Sequence, residues 1–464
     1  MKPTQLSAAA RADASATLRL VTSALALALL FALPRAARAQ DADRPDPSMT
    51  NTPAPTYFIR GARIVTVSGA DIENGSIVVS GGRIAAVGAN VAAPAGALEV
   101  DARGLTVYPG MIDLGTNMGL LEVPAVGATA DVQELGEMNP NIAAVWSINP
   151  GSAHIDVTRV GGVTSVLSMP SGGIISGQAA FINLAGSTPR EMAVVPQAAL
   201  VVDFPRVGGG GGFAAFIAQQ QGISQDALTQ RDRRVEELRR MLRDALAYGR
   251  AQDAYRADPK SVPRPESDLK LAALVPYARG ERPVIFRAER EREIRAVVRF
   301  AEETRLKPII IGGSDAWKVA AFLKQHNVPV ILDSVLNLPL REDDAYDALY
   351  ENASKLQAAG VAFCISTGDS GAHVRDLPFQ AGMAAAYGLP KAEALKAVTL
   401  YPAQILGVAD RMGSIEQGKL ANLVITDGDI LEPRTNIRYL FINGRQIPLV
   451  SRHTVLNDEY KDRK

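Results

Sequence analysis

The sequence has few of the residues that most often form cross-links or hold transition metals. Among 464 residues there are one cysteine and four histidines. The single cysteine, Cys364, excludes an intrachain disulfide and a cysteine-based metal site. It stands in the apolar run Val-Ala-Phe-Cys-Ile, which predicts a buried structural thiol rather than a nucleophile.

Net charge and long apolar runs are also lacking. The 49 basic residues balance the 49 acidic ones, so the charge does not favour nucleic acid or another polyanion as a partner. After residue 39 no stretch approaches the roughly 20 apolar residues of a spanning helix. We therefore expect a soluble mature chain with no membrane span, and a small molecule as its ligand.

Residues 1–39 have the pattern of a secretory signal peptide. Lys2, Arg11 and Arg19 precede an apolar run over residues 20–33, and small residues at 37 and 39 predict cleavage after Ala39. The run is too short for a membrane anchor. The sequence thus predicts an exported protein, periplasmic or secreted, followed by a proline-containing linker over residues 40–55.

Two β-rich pieces enclose a long middle segment. Residues 56–108 and 412–450 show short strands separated by glycine and asparagine turns, which predicts a small β-sandwich built from both ends of the chain. Residues 109–411 alternate apolar strands with helices, the pattern of a parallel α/β fold, here a TIM-like (β/α)8 barrel. Candidate barrel strands lie at residues 107–112, 163–167, 198–202, 283–286, 308–311, 328–332 and 361–365.

Residues 203–280 interrupt this alternation. Five consecutive glycines at 208–212 precede a charged helix over about residues 225–256. The helix is compatible with a lid over the active face and with a solvated insertion or a contact in a homo-oligomer, and the sequence leaves these alternatives open.

Three motifs carry a family resemblance. Residues 107–117 read Val-Tyr-Pro-Gly-Met-Ile-Asp-Leu-Gly-Thr-Asn, residues 162–167 read Gly-Val-Thr-Ser-Val-Leu, and residues 388–423 contain Gly-Leu-Pro, Pro-Ala and Gly-Lys-Leu-Ala-Asn-Leu at characteristic spacing. Over most of residues 56–450 the chain resembles the amidohydrolase superfamily, and within it the exported, imidazolonepropionase-related proteins. The resemblance implies a barrel that holds one or two divalent metals at the carboxyl ends of its strands and hydrolyses amide-like bonds.

The metal-ligand positions of that family have changed together in this chain. The two histidine positions of the first barrel strand are Gly115 and Asn117, the fifth strand ends in Arg287-Ala288-Glu289, and the sixth ends in Gly-Gly-Ser at 312–314. Asp369, after the eighth strand, is the one retained ligand position. We therefore expect no complete metal site and at most one weakly held divalent ion such as zinc.

The remaining polar residues at the strand ends are the candidate site. Asp369 and His373 are the candidate catalytic groups, because both lie in the loop after the last barrel strand. A glycine-rich loop after the second strand, residues 168–173 with Gly177 and Gln178, is expected to line the same pocket. The candidate substrate-binding residues are Asp113, Asn117, Arg287, Glu289 and Arg375.

The other histidines have simpler interpretations. We expect His326 to close a helix, His453 to be solvated, and His154 to start a helix, with capping favoured over catalysis for His154. For His373 the sequence is equally compatible with a functional role and with a structural one.

Three functions are compatible with these residues. The first is a hydrolase of non-peptide C–N bonds in amides or cyclic amides, with a reduced or absent metal site. The second is an inactive barrel that binds a small ligand or a protein. The third is a metal-independent isomerase or lyase on the same scaffold.

Overall fold

The computed structural model describes residues 54–206, 225–368 and 370–463. The predicted signal peptide, nearly all of the predicted linker, the five-glycine run and Asp369 lie outside the described residues. Within the described ranges, no helix is long and apolar enough to cross a membrane.

The two ends of the chain form one sheet, here named the terminal sheet. Its strands lie in the order β16-β15-β14-β5-β1-β2-β3, with β4 paired to β1. β5 and β14 pair antiparallel, which joins the N-terminal to the C-terminal piece. The predicted union of both ends in one β unit is therefore confirmed. The strands are β1 (Tyr57–Ile64), β2 (Ile72–Ser80), β3 (Arg83–Gly88), β4 (Leu98–Asp101), β5 (Thr106–Pro109), β14 (Leu423–Thr426), β15 (Ile437–Ile442) and β16 (Arg445–Ile447).

The middle of the chain forms a second sheet of eight strands that curls into a nearly closed barrel, here named the barrel sheet. The strands follow one another in chain order, so barrel strands one to eight are β6 to β13. This confirms the predicted barrel. The strands are β6 (Met111–Thr116), β7 (Val163–Ser168), β8 (Ile175–Asn183), β9 (Ala193–Asp203), β10 (Pro283–Ala288), β11 (Lys307–Gly312), β12 (Val330–Leu332) and β13 (Phe363–Ile365).

The prediction of a uniformly parallel barrel is wrong for β8, which runs antiparallel to both β7 and β9. The connections before and after β8 are too short for the crossover that parallel neighbours require. Gly177 and Gln178, expected in a loop, lie inside this strand. The predicted strand 107–112 is also divided, since the chain leaves the terminal sheet at Gly110 and enters the barrel. A β-carbon at Gly110 would lie 2.2 Å from Thr164 Oγ1, so only glycine fits this crossing point.

The helices cover the outer side of the barrel sheet. The amphipathic helix α5, between β10 and β11, buries Ile294, Val297 and Val298 against the barrel, as its apolar spacing predicts. The helices are α1 (Ala153–Arg159), α2 (Pro189–Met192), α3 (Gln225–Ala257), α4 (Leu269–Ala278), α5 (Glu291–Thr304), α6 (Ala320–Gln325), α7 (Asn352–Ala358), α8 (Leu377–Ala386), α9 (Lys391–Ala397), α10 (Leu400–Ile405) and α11 (Arg452–Tyr460).

The charged helix of the insertion, α3, packs against the rest of the molecule over its central part. Leu238, Leu242 and Ala245 are buried. Arg239 Nε forms an ion pair with Glu303 Oε1 of α5 at 2.7 Å. This part of α3 therefore belongs to the packed outer layer of the barrel.

Candidate functional site

Strand one is tied to the segment after strand eight by the side chain of Asp113. Asp113 has no exposed surface. Its Oδ1 accepts a hydrogen bond from the Gly115 amide at 2.8 Å, and its Oδ2 accepts from the amide and hydroxyl of Thr367. Burial raises the pKa of Asp113 to about 6, while these hydrogen bonds act in the opposite direction. Asp113 therefore closes the barrel between β6 and β13.

The position of the first family histidine is filled by neighbouring side chains. A β-carbon on Gly115 would lie 2.3 Å from Ser366 Oγ and 3.4 Å from Ile311 Cδ1. Ser366 is fully buried, and its hydroxyl makes no hydrogen bond within the described part of the chain. A side chain larger than hydrogen at position 115 would therefore require strand eight to move.

The position of the second family histidine, Asn117, also contacts the segment after strand eight. Its Oδ1 accepts a hydrogen bond from the Gly371 amide at 3.0 Å. Asp113 and Asn117 thus form two successive links across the same side of the barrel. Both predicted substrate-binding residues of strand one have protein partners in this structure.

Strands five and six bring Glu289 and Ser314 together. Parallel pairing places Ala288 beside Gly312, so Glu289 and Ser314 leave the barrel at the same edge. The Ser314 hydroxyl donates to Glu289 Oε2 at 2.7 Å, and the Ser314 amide donates to the same oxygen at 3.2 Å. Burial raises the pKa of Glu289 above its ordinary value, opposed by the two bonds from Ser314.

Gly312 makes room for that carboxylate. Its φ is +102°, and a β-carbon there would lie 2.2 Å from Glu289 Oε1. In the sequence, the glycine pair at 312–313 indicates only that the family's histidine is absent. In the structure, Gly312 leaves the space that the Glu289 carboxylate occupies. Ser314 was not among the residues predicted for the site. A hydroxyl residue just beyond a strand end, beside a strand that ends in a carboxylate, is the sequence signal that could have identified it.

A cleft of about 400 Å³ lies between α3, α5 and the segment after strand four, and Glu289 is not among its lining residues. Its floor is apolar, with Phe204 and Phe300, and its rim carries five arginines and two glutamates, among them Arg206 and Glu293. Glu293 Oε2 accepts a hydrogen bond from the Glu289 amide at 3.1 Å, and the charge of Arg206 acts to lower the pKa of Glu289. The cleft therefore adjoins the ends of strands four and five.

The other predicted site residues lie in different places. Arg287 has an interaction partner within the protein. His373 is exposed in the 3-10 turn Gly371–Asp376. Arg375 is exposed and lines a separate cleft of about 370 Å³ with Gly161, at the amino-terminal end of β7. The structure therefore does not bring Arg375 together with Glu289.

The loop after strand six holds a separate network of charges. Asp315, which is 2% exposed, pairs with Lys318 at 2.8 Å and with Arg341 at 3.0 Å. These partners lower the pKa of Asp315 against the effect of burial. Both cations are paired with carboxylate groups, so this network holds the loop after strand six in place.

Two of the remaining histidines have structural partners. The hydroxyl of Ser152, rather than His154, caps α1, and His154 Nε2 lies 3.1 Å from the carbonyl oxygen of Glu122. His326 ends α6 as predicted and contacts Glu302 of α5.

The described donors do not fit the metal centre that the family resemblance implies. Among the residues that the structure describes, no three histidine, cysteine, aspartate or glutamate side chains are grouped as a metal site requires. Gly115 has no side-chain donor atom, and Asn117 Oδ1 and Glu289 Oε2 accept hydrogen bonds from the protein. The retained ligand position, Asp369, lies outside the described residues.

Comparison with known proteins agrees with this architecture. The model of the amidohydrolase family matches residues 317–447. Amidohydrolase tasK of Hapsidospora irregularis is 25% identical over 392 residues, 77% of this chain and 38% of that protein. N-acetylglucosamine-6-phosphate deacetylase of Haemophilus influenzae is 51% identical over 57 residues, 12% of this chain and 14% of that protein. The chain thus covers well under two thirds of the length of these two relatives.

A solved structure extends the likeness to the whole fold. The amidohydrolase from Thermotoga maritima superposes with a TM-score of 0.74 at 25% identity, covering 84% of this chain and 99% of that one. The shared barrel, the terminal sheet and the family match lead to one conclusion: the chain has the fold of the amidohydrolase superfamily, and its residues 317–447 match the amidohydrolase family in sequence.

Proposed function

We propose that this protein is an exported hydrolase of non-peptide C–N bonds, acting on amides or cyclic amides, in which Glu289 is the general base and no metal is needed. The observation that supports it is the placement of Glu289. This carboxylate stands at the carboxyl end of a barrel strand, where barrel enzymes perform their chemistry, and one of its oxygens is held by Ser314.

The raised pKa of Glu289 suits that role. A carboxylate whose pKa is raised toward the working pH accepts a proton more readily than an exposed one. The base must be ionised, so kcat/KM should rise with pH through the raised pKa of Glu289 and then level off. Asp369 and His373, in the loop after strand eight, remain predicted contributors to the same chemistry.

Members of this superfamily typically bind a metal such as zinc. The filled space at Gly115 and the hydrogen bonds that Asn117 Oδ1 and Glu289 Oε2 accept from the protein support a metal-free mechanism here. The same features would equally suit a barrel that only binds its ligand. The two functions differ in turnover, which decides between them.

The experiment is hydrolysis of an amide panel by the mature protein, before and after chelation, with elemental analysis of the purified protein. The panel should contain neutral and acidic N-acyl amines, lactams and cyclic imides, because five arginines line the cleft that includes Glu293, the hydrogen-bond partner of the Glu289 amide. We expect chelator-insensitive turnover that falls roughly 100- to 10,000-fold in Glu289→Gln.

The matched control is Glu291→Gln, two residues further on, whose carboxylate pairs with the exposed side of α5 through Arg295. It should retain full activity. Stoichiometric zinc with chelator-sensitive turnover, or full activity in Glu289→Gln, would refute the proposed mechanism. Binding of panel members without turnover would identify a ligand-binding protein instead.

A further inference from the structure

Glu289 and Ser314 form a pair that a water-activating base does not require. The Ser314 hydroxyl donates directly to Glu289 Oε2 at 2.7 Å. The Ser314 amide already gives that oxygen a hydrogen bond at 3.2 Å. The hydroxyl proton is therefore directed at the base, as in activated serine nucleophiles.

The surroundings fix the direction of this hydrogen bond. The positive φ angles of Gly312 and Gly313 turn the chain sharply between β11 and Ser314. Gly313 and Asp315 are anchored by amide hydrogen bonds to the carbonyls of Ala288 and Glu289, at 2.8 and 2.9 Å. The serine is thus bound on both sides to strand five, and its hydroxyl is held in place on a rigid turn at the carboxyl edge of the barrel.

Two other serines at this edge differ from Ser314 in the contacts of their hydroxyls. Ser366 is fully buried, and its hydroxyl has no hydrogen bond within the described residues. The hydroxyl of Ser334, after strand seven, accepts a hydrogen bond from Gln380 Nε2 at 2.8 Å. Ser314 is partly exposed, so it combines access with a base in contact.

We infer that Ser314 is a nucleophile and that hydrolysis by this protein proceeds through a serine-linked acyl-enzyme. The inference rests on the proposed hydrolase function and identifies the attacking atom. Ser314 Oγ forms a bond to the carbonyl carbon of the amide as its proton passes to Glu289 Oε2. The C–N bond then breaks, and the leaving amine takes that proton.

The second half of the reaction restores the enzyme. A water molecule gives a proton to Glu289 and its oxygen to the acyl carbon. The bond from carbon to Ser314 Oγ breaks, and the proton on Glu289 returns to the serine. The overall change is one amide and one water converted to one acid and one amine, with no oxidant, reductant or metal.

A fluorophosphonate probe tests the nucleophile without knowledge of the substrate. The probe transfers a phosphonyl group to an activated serine with loss of fluoride. Incubated with the whole mature protein, it should add a single phosphonyl group to the intact mass, and peptide mapping should place that group on Ser314. Labelling should be abolished in Ser314→Ala, slowed at least about tenfold in Glu289→Gln, and unchanged in Ser334→Ala.

The amide panel separates this inference from the proposed function. Chelator-insensitive hydrolysis that persists in Ser314→Ala but is lost in Glu289→Gln would mean that water is the nucleophile, which overturns the inference and leaves the hydrolase standing. Wild-type protein with neither labelling nor turnover would overturn both. Labelling confined to a serine other than Ser314 would also refute the inference, and this result needs no variant to fold.

Discussion

Asp113 shows how one buried carboxylate can replace strand pairing. Its two oxygens receive three hydrogen bonds, from Gly115 of strand one and from Thr367 after strand eight. Strands β6 and β13 are not paired by a backbone ladder within the described residues. The carboxylate therefore provides the link that backbone hydrogen bonds provide between the other strands, at the cost of burying a titratable group.

This cost predicts a pH dependence of stability. The pKa of Asp113 is raised in the folded protein to about 6 from 3.8, so its contribution is greatest below pH 3.8 and is lost as pH rises through about 6. Between pH 4 and pH 7.5 the free energy of unfolding should fall by about 2 kcal/mol more for the wild type than for Asp113→Asn. Urea denaturation of both proteins at the two pH values measures this difference in the free energy of unfolding.

The comparison between pH values isolates the ionisation of Asp113. The loss of one acceptor for the Gly115 amide lowers the stability of Asp113→Asn equally at both pH values, so it cancels. Other titrating groups are common to both proteins. Equal pH dependence in the two proteins would show that Asp113 ionises without penalty in the fold.

At the scale of the elements, β6 and the end of β13 fit only because one has a glycine where the other has a serine. A β-carbon at Gly115 would lie 2.3 Å from Ser366 Oγ and 3.0 Å from Ser366 Cβ. Gly115→Ala should therefore destabilise the protein by about 1–3 kcal/mol. The double variant with Ser366→Gly should recover about 0.5 kcal/mol or more of that loss, because removal of the serine side chain frees the space.

Gly127→Ala is the matched control for this pair. No atom lies within 4 Å of the β-carbon that would be added there. Thermal or urea unfolding of the wild type, Gly115→Ala, Ser366→Gly and the double variant gives the coupling energy between the two positions directly. Additive effects of Gly115→Ala and Ser366→Gly would mean that the two strands adjust independently.

At the scale of the whole molecule, Asn422 joins the terminal sheet to the barrel. Its Nδ2 donates to Asn183 Oδ1 at 2.9 Å and to Ser165 Oγ at 3.2 Å, both in barrel strands. Its Oδ1 accepts from the Asn443 amide at 2.9 Å, beyond β15. This buried polar junction connects the C-terminal piece of the terminal sheet to β7 and β8.

Loss of this junction should weaken the whole fold. Asn422→Ala leaves buried partners unsatisfied and should cost about 3 kcal/mol in the free energy of unfolding. The expected unfolding remains one transition, in which tryptophan fluorescence, from Trp146 and Trp317, coincides with far-ultraviolet circular dichroism. Asn90→Ala, in an exposed turn, is the control. Separate transitions would show that the terminal sheet and the barrel fold independently.

Much of the fold could be predicted because its patterns are local. Three patterns each predict their part of the fold without information from distant residues. They are the turn and strand around Pro109 and Asp113, the alternation of strands and helices, and the closing run over residues 388–423. Strand β8 was not predicted, because Gly177 and Gln178 follow a glycine-rich segment whose composition is typical of a loop. The division at Gly110 depends on Thr164, which is distant in sequence.

The candidate site was predictable only in part. Asp113, Asn117 and Glu289 follow from their positions at strand ends, but the partners of Asp113 and Asn117 lie 254 residues further along the chain. Arg375, only two residues beyond His373 in sequence, lines the cleft beside Gly161 at the amino-terminal end of β7, away from Glu289.

The sequence by itself determined the family frame and the absence of histidines from the metal-ligand positions, since both are properties of residue types at fixed spacing. Only the tertiary structure decided what occupies those positions. Parallel strands bring residues from distant parts of the chain to one edge, so the space at Gly115 is filled by Ser366 and Ile311, and the carboxylate of Glu289 meets Ser314. Packing between strands, which no local pattern encodes, set the chemistry of the barrel mouth.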